Sequence, residues 1–267
     1  MKSYLAIFRT RLSGGLQYRL AALAGVSTQF AWGFLRILLF TALQRANPAA
    51  FPMERAEMTD YIWLFQAFLV LFSTWNFENS IFNAITSGEI AYELARPMDL
   101  YNRWYWQNVA GRLSGALLRC LPILLVVLFL PKPYGLSLPP SLPQFLLFLL
   151  SGTLGLCVAV AFCMLVYIAV FFTLSTAGIR VIVAGSAGFW AGEFLPLPFF
   201  PPALRTVAEL LPFAAVSNMP LRIYSGNLSG TQALQGILLQ IFWLLVMVAF
   251  GKLWMRRALK RVVVQGG

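Results

Sequence analysis

Long apolar stretches, separated by short polar segments, account for most of the chain. Most of these stretches reach the roughly 20 residues that an α-helix needs to cross the hydrocarbon of a bilayer, and none alternates like a barrel strand. We therefore predict an all-α integral membrane protein, because backbone polar groups in lipid must be satisfied within each helix. The six predicted spans lie at residues 20–43, 61–85, 112–130, 145–174, 179–195 and 234–254.

The first 17 residues mix basic and apolar side chains, a pattern typical of an amphipathic helix on the membrane surface. A cleaved signal peptide is the competing interpretation. The apolar run begins only after Arg19, however, and continues into a complete span. We therefore predict an N-terminal interfacial helix within one membrane domain that covers residues 1–267.

A polar segment at residues 86–97 separates the second and third predicted spans and must therefore project into water. Thr86 and Glu89 have the spacing of a capping box, and Gly88 permits a turn before the helix. Pro97 ends the pattern, which predicts a compact helix of about two turns. A capped helix in this position is typical of a docking element.

Two proline-rich segments interrupt the second half of the chain. Residues 131–143 predict a stiff loop between the third and fourth spans. Residues 194–202 are apolar but too rich in proline for a regular helix, so we predict a broken, re-entrant segment shielded by other helices. A short helix at residues 203–210 and another break at residues 211–213 should precede the last span.

Composition and charge agree with a membrane protein. Hydrophobic residues make up 60% of the chain and charged residues 11%, and the mean hydropathy is +0.75. The net charge of +11 comes from basic residues scattered at span ends, so we predict no nucleic-acid partner. Most of them fall on the side of both termini, which predicts that both termini are cytoplasmic. Those on the other side are Arg45, Arg55, Lys132, Arg205 and Arg222.

The sequence lacks the usual signatures of catalysis. It contains no histidine, no metal-ligand spacing and no phosphate-binding GxxxxGK[ST] motif. Cys120, Cys157 and Cys163 fall in or beside apolar runs, which favours reduced, structural thiols. We therefore predict a non-enzymatic chain without a metal or cofactor of its own.

Polar and aromatic residues near the ends of two predicted spans are candidates for lining a transport path. An ionised side chain such as Glu78 costs on the order of 3 kcal/mol in a span, so it should face water or pair with Arg112 or Arg119. Glu193 could contact a solute or hold the re-entrant turn through hydrogen bonds. The path candidates are Phe72, Trp75, Glu78 and Glu193, although ordinary packing also explains the two aromatic side chains.

Two stretches carry a resemblance to a known family. One reads SGEIAYELARP at residues 87–97, and the other combines LPF at 211–213 with NMPLRIYSG at 218–226. With the span layout, they make the chain similar to the permease subunit of type-2 ATP-binding-cassette (ABC-2) exporters, in particular the six-span bacterial permeases. The polar helix then corresponds to the cytoplasmic coupling helix of those permeases.

The resemblance implies an assembly of two permeases, identical or related, with two ATPase chains that hold ATP and Mg²⁺. Binding of ATP would close the ATPase pair, move the coupling helices and tilt the permease halves. The residues that it implies for contact with the ATPase are Ser87, Gly88, Glu89, Ile90, Tyr92, Glu93 and Arg96.

Other functions remain open from the residues alone. Solvation by itself would also produce an exposed charged helix. A proton-coupled secondary transporter could use Glu78 and Glu193 as proton carriers, although no inverted repeat is apparent. A membrane enzyme would need a cluster of catalytic groups, and a channel would need a charged or carbonyl-lined filter; neither pattern is visible.

Overall fold

A computed structural model describes residues 2–17, 19–173 and 175–261. Over these ranges the protein is all-α, with no strand, as the sequence predicts. The helices of the first half are α1 (Lys2–Gly15), α2 (Arg19–Ala46), α3 (Arg55–Ala67), α4 (Leu69–Phe72), α5 (Asn79–Thr86), α6 (Ile90–Leu94) and α7 (Leu100–Leu128). Those of the second half are α8 (Leu142–Thr173), α9 (Thr176–Trp190), α10 (Pro202–Leu210), α11 (Asn218–Tyr224) and α12 (Gly230–Leu259).

Four described helices are long and apolar enough to cross a membrane: α2 from Ala22 onward, α7, α8 and α12. They contain the greater part of the first, third, fourth and sixth predicted spans. The third span differs most from its prediction, since its helix begins at Leu100 instead of residue 112. The Asp99 carboxylate caps this helix by accepting a hydrogen bond from the Asn102 N–H at 2.8 Å, so the aromatic segment after it is helical.

The second predicted span is not one helix, and this part of the prediction is wrong. The chain forms α3 and α4, leaves helical geometry at residues 73–78, and resumes a helix with α5. We call residues 73–78 the break. It contains neither glycine nor proline, and its polar residues, such as Ser73, Thr74 and Asn76, are only a weak local signal for a break.

The fifth predicted span is also shorter than expected. Helix α9 has 15 residues and ends at Trp190, five residues before the predicted boundary. Gly192 then adopts a φ of 76°, a left-handed conformation that glycine accepts easily and that turns the chain away from the helix. At about 1.5 Å per residue, α9 is shorter than the hydrocarbon is thick, so six spans remain a prediction.

Helix α8 is the centre of the fold. In the most apolar 18-residue stretch of α8, 67% of the residues are buried inside the protein, whereas the corresponding stretches of the other three long helices are 28–33% buried. Helix α8 packs against α7, α9, α11 and α12. A Cβ placed on Gly155 would clash with the Val216 carbonyl oxygen, so a glycine is what allows the segment before α11 to approach α8 so closely.

The segment between α9 and α11 is irregular, as the prolines predict. A short 3-10 helix at Leu197–Phe199 precedes α10, and the predicted short helix at residues 203–210 is confirmed. The Phe199 ring packs 4.9 Å from the rings of Phe40 and Phe51, so other parts of the chain shield this segment. Its re-entrant position in a membrane stays a prediction.

Helix α1 packs along the first half of α7. The Asp99 N–H donates to the Tyr4 hydroxyl at 3.2 Å, and a Cβ on Gly15 would clash with the Ser114 side chain. The predicted N-terminal amphipathic helix is therefore present, and it is joined to α7 over most of its length. Its location on the membrane surface stays a prediction.

Candidate functional site

The polar segment at residues 86–97, which we call the docking segment, forms a turn and one short helix. Gly88 has a φ of 81°, which suits glycine, and α6 follows with five residues. The predicted capping box is wrong. Thr86 is the last residue of α5, and its hydroxyl donates back to the Phe82 carbonyl at 3.1 Å instead of capping α6.

The seven residues that the resemblance implies for ATPase contact divide into two groups. Five are exposed, and Tyr92 is the largest of them, with 76% of its surface accessible. The other two attach α6 to the rest of the protein: Ile90 is buried, and Glu93 forms an ion pair with Arg103. The exposed residues are Ser87, Gly88, Glu89, Tyr92 and Arg96.

The first turns of α7 hold α6 in place. Arg103 is buried, so its ion pair with Glu93 is shielded from water. The Trp104 indole N–H also donates to the Glu93 carboxylate at 3.3 Å. A displacement of α6 would therefore act directly on α7.

The break is the second polar feature, and one arginine of α7 organises it. Helix breakage leaves backbone carbonyls without a helical partner, which is costly inside a protein. The Arg112 guanidinium donates to the carbonyl oxygens of Leu71 and Ser73, both at 2.9 Å, and to that of Asn76 at 2.8 Å. These hydrogen bonds replace those of a continuous helix.

Arg112 itself is almost completely buried, at 2% exposure. Its Nε donates to the Asn108 amide oxygen at 3.1 Å, and its Nη2 contacts Cys163 Sγ at 3.2 Å. None of the ion pairs between described residues involves Arg112. Carbonyl dipoles therefore provide most of the polar surroundings of this cation.

Two further side chains satisfy N–H groups of the break. The Tyr167 hydroxyl of α8 accepts from the Glu78 N–H at 2.7 Å and from the Asn108 amide at 2.6 Å. Glu193 Oε1 accepts from the N–H and the hydroxyl of Thr74, at 2.8 and 2.9 Å. The break is thus joined to α7, α8 and the loop after α9.

The four predicted path residues all lie on the break or contact it, but their surroundings differ. Phe72 is buried, with its ring 6.0 Å from that of Phe68. Trp75 is half-exposed, and the Glu78 side chain is partly exposed. Glu193 is buried, and its hydrogen bonds agree with the structural role considered for it.

The predicted partner of Glu78 is wrong. Its carboxylate lies 3.9 Å from Arg11 of α1, and neither Arg112 nor Arg119 forms an ion pair with it in the described structure. Arg112 points to the break instead because three carbonyls there need donors. Arg119, the other alternative, lines a cavity beside α1 that Glu78 also lines, but the two side chains form no ion pair there.

Sequence reasoning missed the residues that organise the break. Arg112 was interpreted as a topology marker and as a possible partner of Glu78, and Asn108 and Tyr167 were not singled out. A signal was present, since Asn108 and Arg112 are one helical turn apart and introduce an apolar run. Within the described ranges no group of three or more acidic, cysteine or histidine side chains offers a metal site.

Comparison with known proteins identifies one family. The family model described as "ABC-2 family transporter protein" matches residues 32–266. The matched range contains the docking segment, the break and all four path candidates, whereas α1 lies before it. No curated protein matches the chain.

Proposed function

Because the chain belongs to the ABC-2 family of transporter proteins, we propose that it is the membrane permease of an ATP-driven exporter whose ATPase docks on residues 86–97. The protein is a multi-pass membrane permease of an ABC transporter, and permeases of this family work with an ATPase subunit. The direction of transport, the docking residues and the stoichiometry belong to the proposal.

The geometry of the docking segment carries the proposal. Its outward face is polar and exposed, and it offers Glu89, Tyr92 and Arg96 to a partner. Its inward face is fixed, because Ile90 is buried and Glu93 is paired with Arg103 of α7. A solvated loop needs no such anchoring, whereas a segment that transmits movement does.

The same contacts give the movement a route through the protein. Helix α7 connects the docking segment to Asn108 and Arg112 within one continuous helix. A tilt of α7 would shift Arg112, whose guanidinium holds three carbonyls around the break. The break would then transmit the shift to Glu193 through Thr74. Closure of the ATPase pair would thereby alter the break within the second span.

The proposed assembly contains two ATPase subunits, which hold ATP and Mg²⁺, and a second permease that is identical or related. The proposed location is a bacterial inner membrane, with both termini and the docking segment in the cytoplasm. Basic residues at the ends of spans support this orientation. The partners are then proteins and lipid, with no role for nucleic acid.

The first experiment is to purify the tagged chain from its native membrane in mild detergent and identify the proteins that accompany it by mass spectrometry. A stoichiometric soluble protein with a phosphate-binding loop would support the proposal, and a second permease beside it would indicate a heteromeric assembly. A chain that came alone, and that moved solutes in vesicles only with a proton gradient, would instead favour a secondary transporter.

A pair of charge reversals then tests the docking residues. Arg96→Glu should weaken co-purification of the ATPase and lower permease-stimulated ATP hydrolysis, because it reverses a charge on the exposed docking face. Arg45→Glu is the matched control, since Arg45 is also exposed but lies in the last turn of α2. Equal co-purification and stimulation in both variants would refute the docking assignment.

A third variant separates docking from transmission. Glu93→Gln removes the charge that Arg103 pairs with but leaves the exposed residues in place. We expect the ATPase to remain bound while its hydrolysis loses its dependence on the permease. If stimulation and transport stay at the level of the unmodified protein, then the route through α7 is wrong.

A further inference from the structure

A cavity of about 590 Å³ with several polar side chains in its lining lies between α1, α2 and α7, on the side of α7 that faces the N-terminal helices. Its volume is within the range of about 300–1,000 Å³ that is typical of small-molecule sites. Most of its polar side chains carry hydrogen-bond donors. The polar residues of its lining are Thr10, Arg11, Gln17, Glu78, Ser114 and Arg119.

The charges in this cavity do not cancel. The Arg11 guanidinium lies 3.9 Å from the Glu78 carboxylate, so these two groups largely offset each other. Arg119 has neither an ion pair nor a hydrogen bond to the residues whose side chains the structure describes. Arg119 is partly exposed, so its charge is available to an anion that enters the cavity.

The backbone of α2 makes room for the Arg119 head group. A Cβ placed on Gly25 would lie 2.8 Å from Arg119 Cζ and 3.0 Å from its Nε. The guanidinium therefore rests against a glycine of α2. Any larger residue at position 25 would displace it.

The cavity lies at the level where two spans begin. Ala22 is the first residue of the apolar part of α2, and residues 111–119 of α7 coincide with the start of the third predicted span. Leu23 and Leu121, next to the lining residues, are exposed by 57% and 58%. Arginine donors and exposed leucines thus lie close together here. A lipid would need the same arrangement, with donors for its headgroup and apolar side chains for its acyl chains.

We propose that this cavity binds the phosphate headgroup of an anionic membrane lipid. Arg119 supplies the uncompensated positive charge, and Arg11 adds donors at the opposite wall. Guanidinium groups suit phosphate because their planar N–H donors match two of its oxygens. The exposed leucines beside the cavity contact the acyl chains. This site does not depend on the ATPase or on the docking segment.

Native mass spectrometry of the purified full chain, with any subunit that accompanies it, tests the proposal. The protein is titrated with phosphatidylglycerol or with phosphatidylcholine of the same acyl chains. We expect the anionic lipid to bind more tightly, and Arg119→Gln to weaken it about fivefold, the usual effect of one basic residue near a lipid surface. Equal binding of the two lipids would overturn the proposal.

Two variants and one competitor complete the test. Gly25→Ala should weaken phosphatidylglycerol as Arg119→Gln does, because the added methyl displaces the guanidinium. Arg256→Gln, at the end of α12, removes an equal charge that does not line the cavity and should have no effect. If it weakened binding as much as Arg119→Gln, the charge alone, and not this cavity, would be responsible.

Inorganic phosphate distinguishes the two possible sources of the anion. If millimolar phosphate displaces phosphatidylglycerol from the unmodified protein but not from Arg119→Gln, the cavity is a phosphate site that water-soluble anions fill, and the lipid assignment is overturned. If phosphate does not compete while phosphatidylglycerol remains selective, the lipid assignment is supported.

Discussion

Arg112→Met should open the break in the second span, because no other described side chain donates to the carbonyls of Leu71, Ser73 and Asn76. Methionine has a similar length but no donor. Each buried carbonyl left without a partner costs about 1–3 kcal/mol, so three of them cost about 3–9 kcal/mol. The substitution also removes a buried cation, whose desolvation destabilises the native protein. We therefore expect the loss of stability to be at the lower end of this range, about 3 kcal/mol.

Cys163 provides the assay. Its thiol is fully buried and contacts the Arg112 guanidinium, so it becomes reactive only when this region opens. In a background with Cys120→Ala and Cys157→Ala, labelling by a thiol reagent should report the open fraction. A change of about 3 kcal/mol corresponds to labelling on the order of a hundredfold faster.

Two variants define the limits of this expectation. Arg112→Lys keeps the charge and three donors but has no planar fork, so labelling should be intermediate. Arg45→Met is the peripheral control, since Arg45 is exposed and lies in the last turn of α2. The reasoning is refuted if Arg112→Met labels Cys163 no faster than the Arg45 control does.

Two further predictions concern packing and ionisation. Gly155→Ala should lower the free energy of unfolding in detergent by about 1–3 kcal/mol, because its Cβ would press against the Val216 carbonyl. Gly152→Ala is the control and should change this free energy little, because its Cβ would meet its nearest neighbour at 3.7 Å. Equal effects of the two substitutions would contradict this prediction. Burial raises the pKa of Asp60, which precedes the second predicted span, from 3.8 to about 6. The folded protein therefore binds this proton more tightly than the unfolded chain, so stability should fall by roughly 2–3 kcal/mol as pH rises from about 4 to about 6. Asp60→Asn retains an acceptor for the Ser137 N–H and should remove this decline, and an unchanged pH profile in the variant would show that another group is responsible.

The sequence by itself determined the class of the protein. Apolar runs of span length can be stable in lipid only as helices, so the all-α prediction and four of the spans followed from composition and length. Prolines at residues 194–202 predicted irregular backbone, because proline removes a donor and clashes with the preceding turn. The polar docking segment was visible for the same reason: polar residues between two spans must reach water.

Only the tertiary structure decided where the second span breaks. The segment at 73–78 contains four polar residues but neither glycine nor proline, so the sequence offers only a weak signal for a break there. The break is stable because Arg112, Tyr167 and Glu193, which are distant in sequence, supply partners for its free backbone groups. Such partners arise from the packing of α7, α8 and the loop after α9, and periodicity along one segment contains no information about them.

The roles of individual charged residues were likewise decided by packing. The sequence could assign Glu93 to a polar helix, but its inward pairing with Arg103 depends on how α6 lies on α7. Glu78 pairs with Arg11 because α1 lies along α7, which brings residues from opposite sides of the first span together. A charge in a membrane protein must find water or a partner, and the fold determines which of the two it finds.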